Sequence, residues 1–407
     1  MSETQALINS LLHPDTQAFW QAHAGEDPFA LSSRAAHYPA LPVQAVAQQI
    51  ERHRRVADKL PTWAASTRVL LPALLSLEQA SSEQTAAFKH HLLEKYYGLQ
   101  GGYGCDLTGG LGVDSFYLAR AFEQWHYVEQ QASLCTLAAH NFRELGQHNI
   151  QAVHADAATF LRQTPHQYTL IYLDPARRAA HRKVWALEDC SPNILELMPL
   201  LGQKARFLLV KLSPMLDLSL LEQRLSPYLQ DIWVVGTAQE CKEVLAWLDM
   251  AAGAPLTPRR HAVTLHATGH EVHEVRHETK YAAAVAAPQA FLYEPAPALM
   301  KCMAWQYLSQ RYECKQIHPG IHLFTSPHYQ EDFPGRAFRV LAQLPFDRKA
   351  LAKLLPEGKA HILLRHVPLS VEQVKKKLKI KEGGERYLWV LRLEKNRLSL
   401  LLTERLK

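Results

Sequence analysis

Cys105-Asp106-Leu107-Thr108-Gly109-Gly110-Leu111-Gly112-Val113-Asp114 is the stretch that decides the fold. An apolar run, YGCDL, leads into it, and a helical pattern, VDSFYLARAF, leads out. Glycines between a strand and a helix let the backbone pass close to a ligand and leave the helix N-terminus open to polar groups. Alone, such a loop fits either a dinucleotide pyrophosphate cradle or an empty tight turn. Downstream the alternation continues through WHYVE, SLCTLAAHNFREL, QAVHA, YTLIYLD, NILELMPLL, RFLLVKL, DLSLLEQRL and DIWVVG. Short apolar runs alternating with helical patterns predict an open, mostly parallel α/β sheet that ends near Gly253.

Acidic residues at successive strand ends sharpen the reading. Asp106 ends the first predicted strand and Glu129 the second, where a carboxylate can accept both ribose hydroxyls of an adenosine. Asp156 follows the third, where a side chain can meet an adenine amino group, and Asp174 ends the fourth in LIYLDPARR. All four would line the crevice in which such sheets bind ligands. The bland alternative for each is a helix N-cap.

Upstream, residues 1–97 read as helical. Val43 to Val56 has apolar residues at helical spacing until Pro61 breaks the pattern, and Ser81 with Gln84 forms a capping-box pattern before TAAFKHHLLEKYY. Past Pro255, VTLHATG and EVHEVRH predict a hairpin around Thr268-Gly269, and Pro297 suits the first position of a helix running through ALMKCMAWQYLSQRY. Ser370 with Gln373 predicts a capped helix through VEQVKKKL. Gly383-Gly384 then turns the chain, and YLWVLRL and RLSLLL form a hairpin across Lys395-Asn396. His273-Glu274-Val275-Arg276-His277 is a literal HExxH. Its surroundings are strand-like, and on a strand positions i and i+4 lie about 13 Å apart, too far to share a zinc.

Composition bounds the classes. A chain of 407 residues, 47% hydrophobic and 21% charged, is not disordered, collagen-like or low-complexity. No apolar stretch approaches the ~20 residues needed to cross a bilayer, and no basic region leads into an apolar run at the start. Six scattered cysteines without a CxxC point to reduced thiols in a cytoplasm, not to a disulfide scaffold or a cysteine zinc site, and no metal is implied. The net charge of +6 is uneven: residues 336–407 hold 18 Lys and Arg against 7 Asp and Glu. A basic end on a mildly acidic body suggests a polyanionic partner, with a solvated lysine face as the alternative.

The glycine loop and the four acids resemble class I S-adenosylmethionine-dependent methyltransferases. LEQASSEQTAAFK (77–89), DLTGGLGVDS, LDPARR, DCSP (189–192), VKLSPMLD (210–217), QECKEVL (239–245), LYEPAPALMK (292–301) and PLSVEQVKKKLKIKEGGERYLW (368–389) resemble a bacterial family of these enzymes with a C-terminal THUMP-like domain. The resemblance implies a Rossmann-like methyltransferase sheet at 98–253, after an N-terminal helical region at 1–97. A small ferredoxin-like α+β segment at 254–334 and a basic THUMP-like domain at 335–407 would follow. It implies S-adenosyl-L-methionine as cofactor, with Gly109, Gly110 and Gly112 flanking its methionine and ribose part, Glu129 the ribose and Asp156 the adenine. Asp106 would orient the methionine amino group, and Thr108, Asp114 and Asp174 complete the candidate cofactor contacts.

Asp174-Pro175 stands where amino-methyltransferases carry [DN]PP[YFW], but Ala176 replaces the second proline and Arg177 the aromatic. The candidate catalytic set is Asp174, Pro175, Arg177 and Lys211. Arg177 and Arg178 could clamp a phosphate or carboxylate, or pair with Glu188 or Asp189. Lys211 could contact a substrate anion, accept a proton, or be an edge lysine. THUMP domains are RNA-binding modules, so the expected activity is methylation of tRNA or rRNA. Arg365, Lys375, Lys376, Lys379 and Arg386 are the candidate nucleic-acid contacts. The competing readings are a small-molecule or protein acceptor, and an RNA-binding protein that keeps the cofactor fold without turnover.

Overall fold

The computed structural model describes residues 2–177, 187–253, 257–275, 284–394 and 397–406. The chain divides into two compact units. One comprises Met1–Asp231 with Val244–Pro258, the other Ile232–Glu243 with Arg259–Lys407.

The strands are β1 (Tyr103–Asp106), β2 (Gln124–Glu129), β3 (Ile150–His154), β4 (Tyr168–Leu173), β5 (Ala176–Arg177), β6 (Cys190–Ser191), β7 (Ala205–Leu212), β8 (Leu229–Gly236) and β9 (Cys241–Asp249). They continue as β10 (Arg259–Leu265), β11 (His270–Val275), β12 (Phe291–Pro295), β13 (Lys315–His318), β14 (Ile321–Ser326), β15 (Gly335–Pro345), β16 (His361–Arg365), β17 (Arg386–Glu394) and β18 (Arg397–Arg405).

In the first unit the strand order is β9-β7-β4-β1-β2-β3. Pairing is parallel from β7 through β4, β1 and β2 to β3, and antiparallel between β7 and β9. The order reverses between β1 and β4, which opens a crevice at their carboxyl ends. β1 and β4 are buried on both faces, which is why they read as continuous apolar runs. β9 is a nine-residue strand that the alternation of runs did not predict, because CKEVLAWLD follows β8 without an intervening helix.

The N-terminal helices pack in the same unit. Val43–Val56 buries Val43, Val46, Ala47 and Ile50 with Ile8, Leu11, Phe19, Trp20, Leu31 and Leu70. Asn141, on the helix Ala132–Glu144, exchanges two hydrogen bonds with the Leu70 backbone at 2.9 and 2.8 Å. Among the described residues, no helix is long and apolar enough to cross a membrane.

Two local readings need correction. The capping pattern at Ser81–Gln84 is displaced by one residue: Ser82 caps the helix Glu83–Lys95 by accepting from the Thr85 N–H. The expected continuous helix after Pro297 is two, Pro297–Lys301 and Trp305–Arg311, separated where Met303 takes φ 55°. A side chain at positive φ is uncommon and cannot continue a right-handed helix.

In the second unit, β10 and β11 form the antiparallel hairpin over Gly269, which sits at φ 95°. His273 and Glu274 lie on β11, so the HExxH lacks the helix that would align its histidines; His277 falls outside the described residues. A seven-stranded sheet in the order β13-β14-β12-β15-β18-β17-β16 completes the unit. Its one parallel pair is β16 with β17. The helices Arg348–Leu354 and Val371–Leu378 cover one face through Leu351, Val374 and Leu378 packed on Leu388, Val390, Leu400 and Leu402. Phe338, Trp389, Leu391 and Leu401 fill the other. The predicted capping box at Ser370 and Gln373 is formed in both directions.

Candidate active site

The glycine loop leaves β1 and enters the helix Val113–Leu118 with Gly112 as N-cap at φ 89°. A Cβ at Gly109 would lie 2.3 Å from the Tyr127 ring, and one at Gly112 would lie 2.5 Å from the Phe142 ring, so both glycines are needed by the packing beneath the loop. Gly110 differs. It sits at φ 56°, and a Cβ there would meet nothing closer than the Thr108 carbonyl at 3.8 Å. Its N–H donates to Glu129 Oε2 at 2.8 Å, while Glu129 Oε1 accepts from the Gln131 N–H at 2.7 Å. Glu129 is thus buried, yet each oxygen keeps a further lone pair.

Asp106 is almost fully buried. It accepts from the Thr108 N–H at 2.8 Å, the Thr108 hydroxyl at 3.2 Å and the Ser115 hydroxyl at 2.7 Å. Burial pushes its pKa up to about 7; the hydrogen bonds from Ser115 and Thr108 pull against that rise and the charge of Asp114 adds to it. Thr108 Oγ1 also accepts from the Asp174 N–H at 2.6 Å, pinning the end of β4 to the end of β1. The Asp174 carboxylate is half-exposed and ion-paired with Lys211 at the end of β7, and Pro175 beside it is buried. Lys211 is therefore no unpaired edge lysine. Asp156 is exposed and caps the helix Ala157–Gln163 by accepting from the Thr159 N–H at 2.9 Å; the Thr159 side chain first, and then that N–H, hold its pKa below the ordinary value.

Asp114 requires correction as a cofactor contact. It is buried and fully engaged: Lys89 Nζ lies 3.0 Å from Oδ1, and the hydroxyls of Ser81 and Tyr172 donate to Oδ2 at 2.6 and 2.7 Å. Burial raises its pKa, but the charges of Lys89 and Lys211 and the hydroxyls of Ser81 and Tyr172 outweigh that and hold it low. Lys89, Ser81 and Tyr172 are functional neighbours that the sequence pattern did not single out. Lys89 and Ser81 lie at the end and near the middle of LEQASSEQTAAFK, which was the available signal.

Arg177 contributes backbone to the two-residue ladder of β5 with β6, opposite Cys190, while Arg178 lies outside the described residues. Glu188, a partner considered for these arginines, pairs with Arg224 at 2.9 Å.

The basic end also needs correction. Arg365 is ion-paired with the buried Glu294, which Arg336 also holds. Arg386 pairs with Glu404, and Lys375 pairs with Glu372 at 2.7 Å. Lys376 and Lys379 are exposed and make no ion pair among the described residues.

Known proteins share this architecture. A family model described as THUMP domain-like matches residues 335–405, and one described as a ferredoxin-like domain matches 291–334. The pairing of β12 with β15 crosses the line between them, so the two share one sheet. A crystal structure from Porphyromonas gingivalis W83, described as a "putative methyltransferase", is 29% identical over 100% of this chain and 98% of its own, with a TM-score of 0.84. A "putative methyltransferase" from Streptococcus mutans in complex with SAH is 10% identical over 40% of this chain and 95% of its own, at a TM-score of 0.31. A "putative RNA methyltransferase" from Pyrococcus horikoshii is 11% identical over 44% and 90%, at 0.34. No curated protein matches the chain. The chain has the class I methyltransferase fold. More particularly, it is a methyltransferase-fold protein whose C-terminal end is ferredoxin-like and then THUMP-like.

Proposed function

We propose that this protein is a cytoplasmic S-adenosylmethionine-dependent methyltransferase that acts on RNA. The observation that carries the reading is the gathering of Gly110, Glu129, Asp156 and Asp174 at the carboxyl ends of four adjacent parallel strands, β1 to β4. The residues suit the cofactor: Gly110 opens onto space that the packing leaves unfilled, one carboxylate ends β2 and another follows β3. Glu129 would hold the ribose, Asp156 the adenine amino group, and Asp106 with Thr108 the methionine end. When bound, the cofactor supplies an electrophilic methyl carbon on a sulfonium.

The chain's own work is positioning. Thr108 fixes the Asp174 backbone, and Lys211 fixes its carboxylate. Asp174 can then accept a hydrogen bond from the acceptor and take its proton where one must leave, so that orientation supplies much of the acceleration. Arg177 replaces the aromatic of the amino-methyltransferase signature, which leaves the acceptor atom open. The THUMP-like match and the unpaired lysines of the basic end support RNA as substrate.

Calorimetry tests the site first: S-adenosylhomocysteine should bind and NAD should not. Asp174→Ala should keep most of that affinity and lose methyl transfer. A folded Asp174→Ala protein that no longer binds would put Asp174 in the cofactor pocket instead. Mass spectrometry of RNA nucleosides from cells lacking the gene identifies the product; an unchanged nucleoside profile would turn the reading to another acceptor.

A further inference from the structure

We infer that the RNA phosphate backbone docks on a lysine corner made by Lys359, Lys379 and Lys381, with Lys376 and Lys377 one turn away, and not on the arginines of the sheet. This rests on the reading of RNA as substrate. The corner is built by the backbone. The helix Val371–Leu378 ends in Lys379, and Lys381 then pairs in parallel with Lys359. The Lys381 N–H donates to the Gly358 carbonyl at 2.8 Å, and the Lys381 carbonyl accepts from the Ala360 N–H at 3.1 Å. Three lysines from segments some twenty residues apart in sequence are thereby held side by side. All five are exposed, and none makes an ion pair among the described residues. The carboxylates nearest the five lysines in sequence are Glu357, Glu372, Glu382 and Glu385, and Glu372 pairs with Lys375. Glu382 is turned to the Ile362 N–H at 3.3 Å and to His361, which leaves the cations in excess.

A second observation singles out Lys379. It closes the helix at φ 55° and ψ 48°, the left-handed position where glycine is the usual residue. A lysine there carries backbone strain that a glycine would not. Lysine near a helix C-terminus does favour the dipole, but that benefit does not require the left-handed residue itself, since Lys375, Lys376 and Lys377 already occupy the last turn. A side chain carried on a strained residue at a cationic corner points to a role for the side chain rather than for the fold. Arg365, Arg386 and Lys375 each hold a glutamate and would have to break that pair to meet a phosphate.

The test is Lys379→Gly, alongside Lys359→Ala/Lys381→Ala and Arg386→Gln, in the full-length protein. Binding of structured tRNA is measured by filter retention at several salt concentrations, and stability by thermal unfolding. Lys379→Gly should unfold at a higher temperature than wild type and yet bind RNA several-fold more weakly. The logarithmic salt slope should fall by about 0.7 to 0.9 for each phosphate no longer neutralised. The double variant should lose roughly twice that slope, and Arg386→Gln should leave it unchanged. If wild type binds RNA and the corner variants bind with its affinity and slope, the corner is wrong while the RNA reading stands. If wild type itself fails to bind RNA at low salt, the RNA reading fails and the corner with it. A Lys379→Gly protein that is less stable than wild type would overturn the strain argument.

Discussion

Replacing Lys89 with Met should destabilise the unit that holds the methyltransferase sheet by about 3 kcal/mol. The Lys89 side chain is fully buried, 3.0 Å from Asp114 Oδ1. Removing one partner of such a pair strands the other charge where water cannot reach it, at roughly 3–5 kcal/mol. The lower end applies because Asp114 keeps the hydroxyls of Ser81 and Tyr172, at 2.6 and 2.7 Å, and still feels the charge of Lys211. Methionine is close in length to the lysine stem, so little cavity cost is added. Adding Asp114→Asn removes the stranded charge, and the double variant should recover about 1–2 kcal/mol relative to the sum of the single changes. The pH dependence follows from the low pKa of Asp114. Stability from a depressed carboxyl is present above its unfolded value and is lost as pH falls through the folded one. The gap between wild type and Lys89→Met should therefore hold steady at neutral pH and narrow as acid protonates Asp114 in the variant before it does so in wild type, where Lys89 holds the pKa lower. Urea unfolding followed by tryptophan fluorescence measures it. A Lys89→Met variant within about 0.5 kcal/mol of wild type, which is the range of ordinary surface changes, would refute the ion-pair argument.

Asp106 titrates in the opposite sense. Between 3.8 and about 7 the folded chain holds a proton there that the unfolded chain has lost, so its stabilising contribution is complete below 3.8 and disappears as pH rises through about 7. Wild type should lose stability relative to Asp106→Asn across that window, and parallel thermal midpoints of the two proteins would contradict the burial argument. Glu129→Ala should weaken S-adenosylhomocysteine several-fold to a hundredfold, about 1–3 kcal/mol, because its charge-assisted hydrogen bonds are gone. Equal affinities by calorimetry would remove the ribose assignment. Asp156→Ala should cost about 1 kcal/mol of stability through the missing cap. Asp156→Ser keeps a capping oxygen, so a fall in S-adenosylhomocysteine affinity in the serine variant isolates the adenine contact, and unchanged affinity leaves Asp156 as a cap alone.

The sheet was legible because β1, β2, β4 and β7 are buried apolar runs separated by helices, and period and length suffice to mark them. β9 was not, since it returns directly from β8 and carries no helix to punctuate it. The strand-end acids could be named from spacing, but not the duties each already has within the fold. Asp156 is both candidate contact and cap, and Glu129 is both candidate contact and brace for Gly110. Asp114 illustrates the limit most clearly. One helical turn decides whether a carboxylate meets the crevice or the core, and its partner Lys89 lies 25 residues earlier in sequence, on a helix whose register depends on packing. At the basic end, charge could be counted from composition, but pairing could not. Glu294 and Glu404 reach Arg365 and Arg386 only across strands joined in the folded sheet.

These pairings give the N-terminal helices a part in the site that their composition does not suggest. Glu83 accepts from the backbone of Thr62 and from the Tyr117 hydroxyl, fastening the helix Glu83–Lys95 to the helix that follows the glycine loop. Lys89, from the same helix, neutralises Asp114, and Asp114 in turn acts on Lys211, whose ammonium holds Asp174. The charges alternate from the N-terminal region to the acceptor side of the crevice. With Lys89 in place, Asp114 is paired and Lys211 holds Asp174. In Lys89→Met, Asp114 should draw more strongly on Lys211, so that Asp174 loses part of its brace while Gly110 stays tied to Glu129. The helical region therefore contributes to the charge balance beside the candidate catalytic pair, and a chain trimmed to the methyltransferase sheet should lose the Lys89–Asp114 pair that shares it.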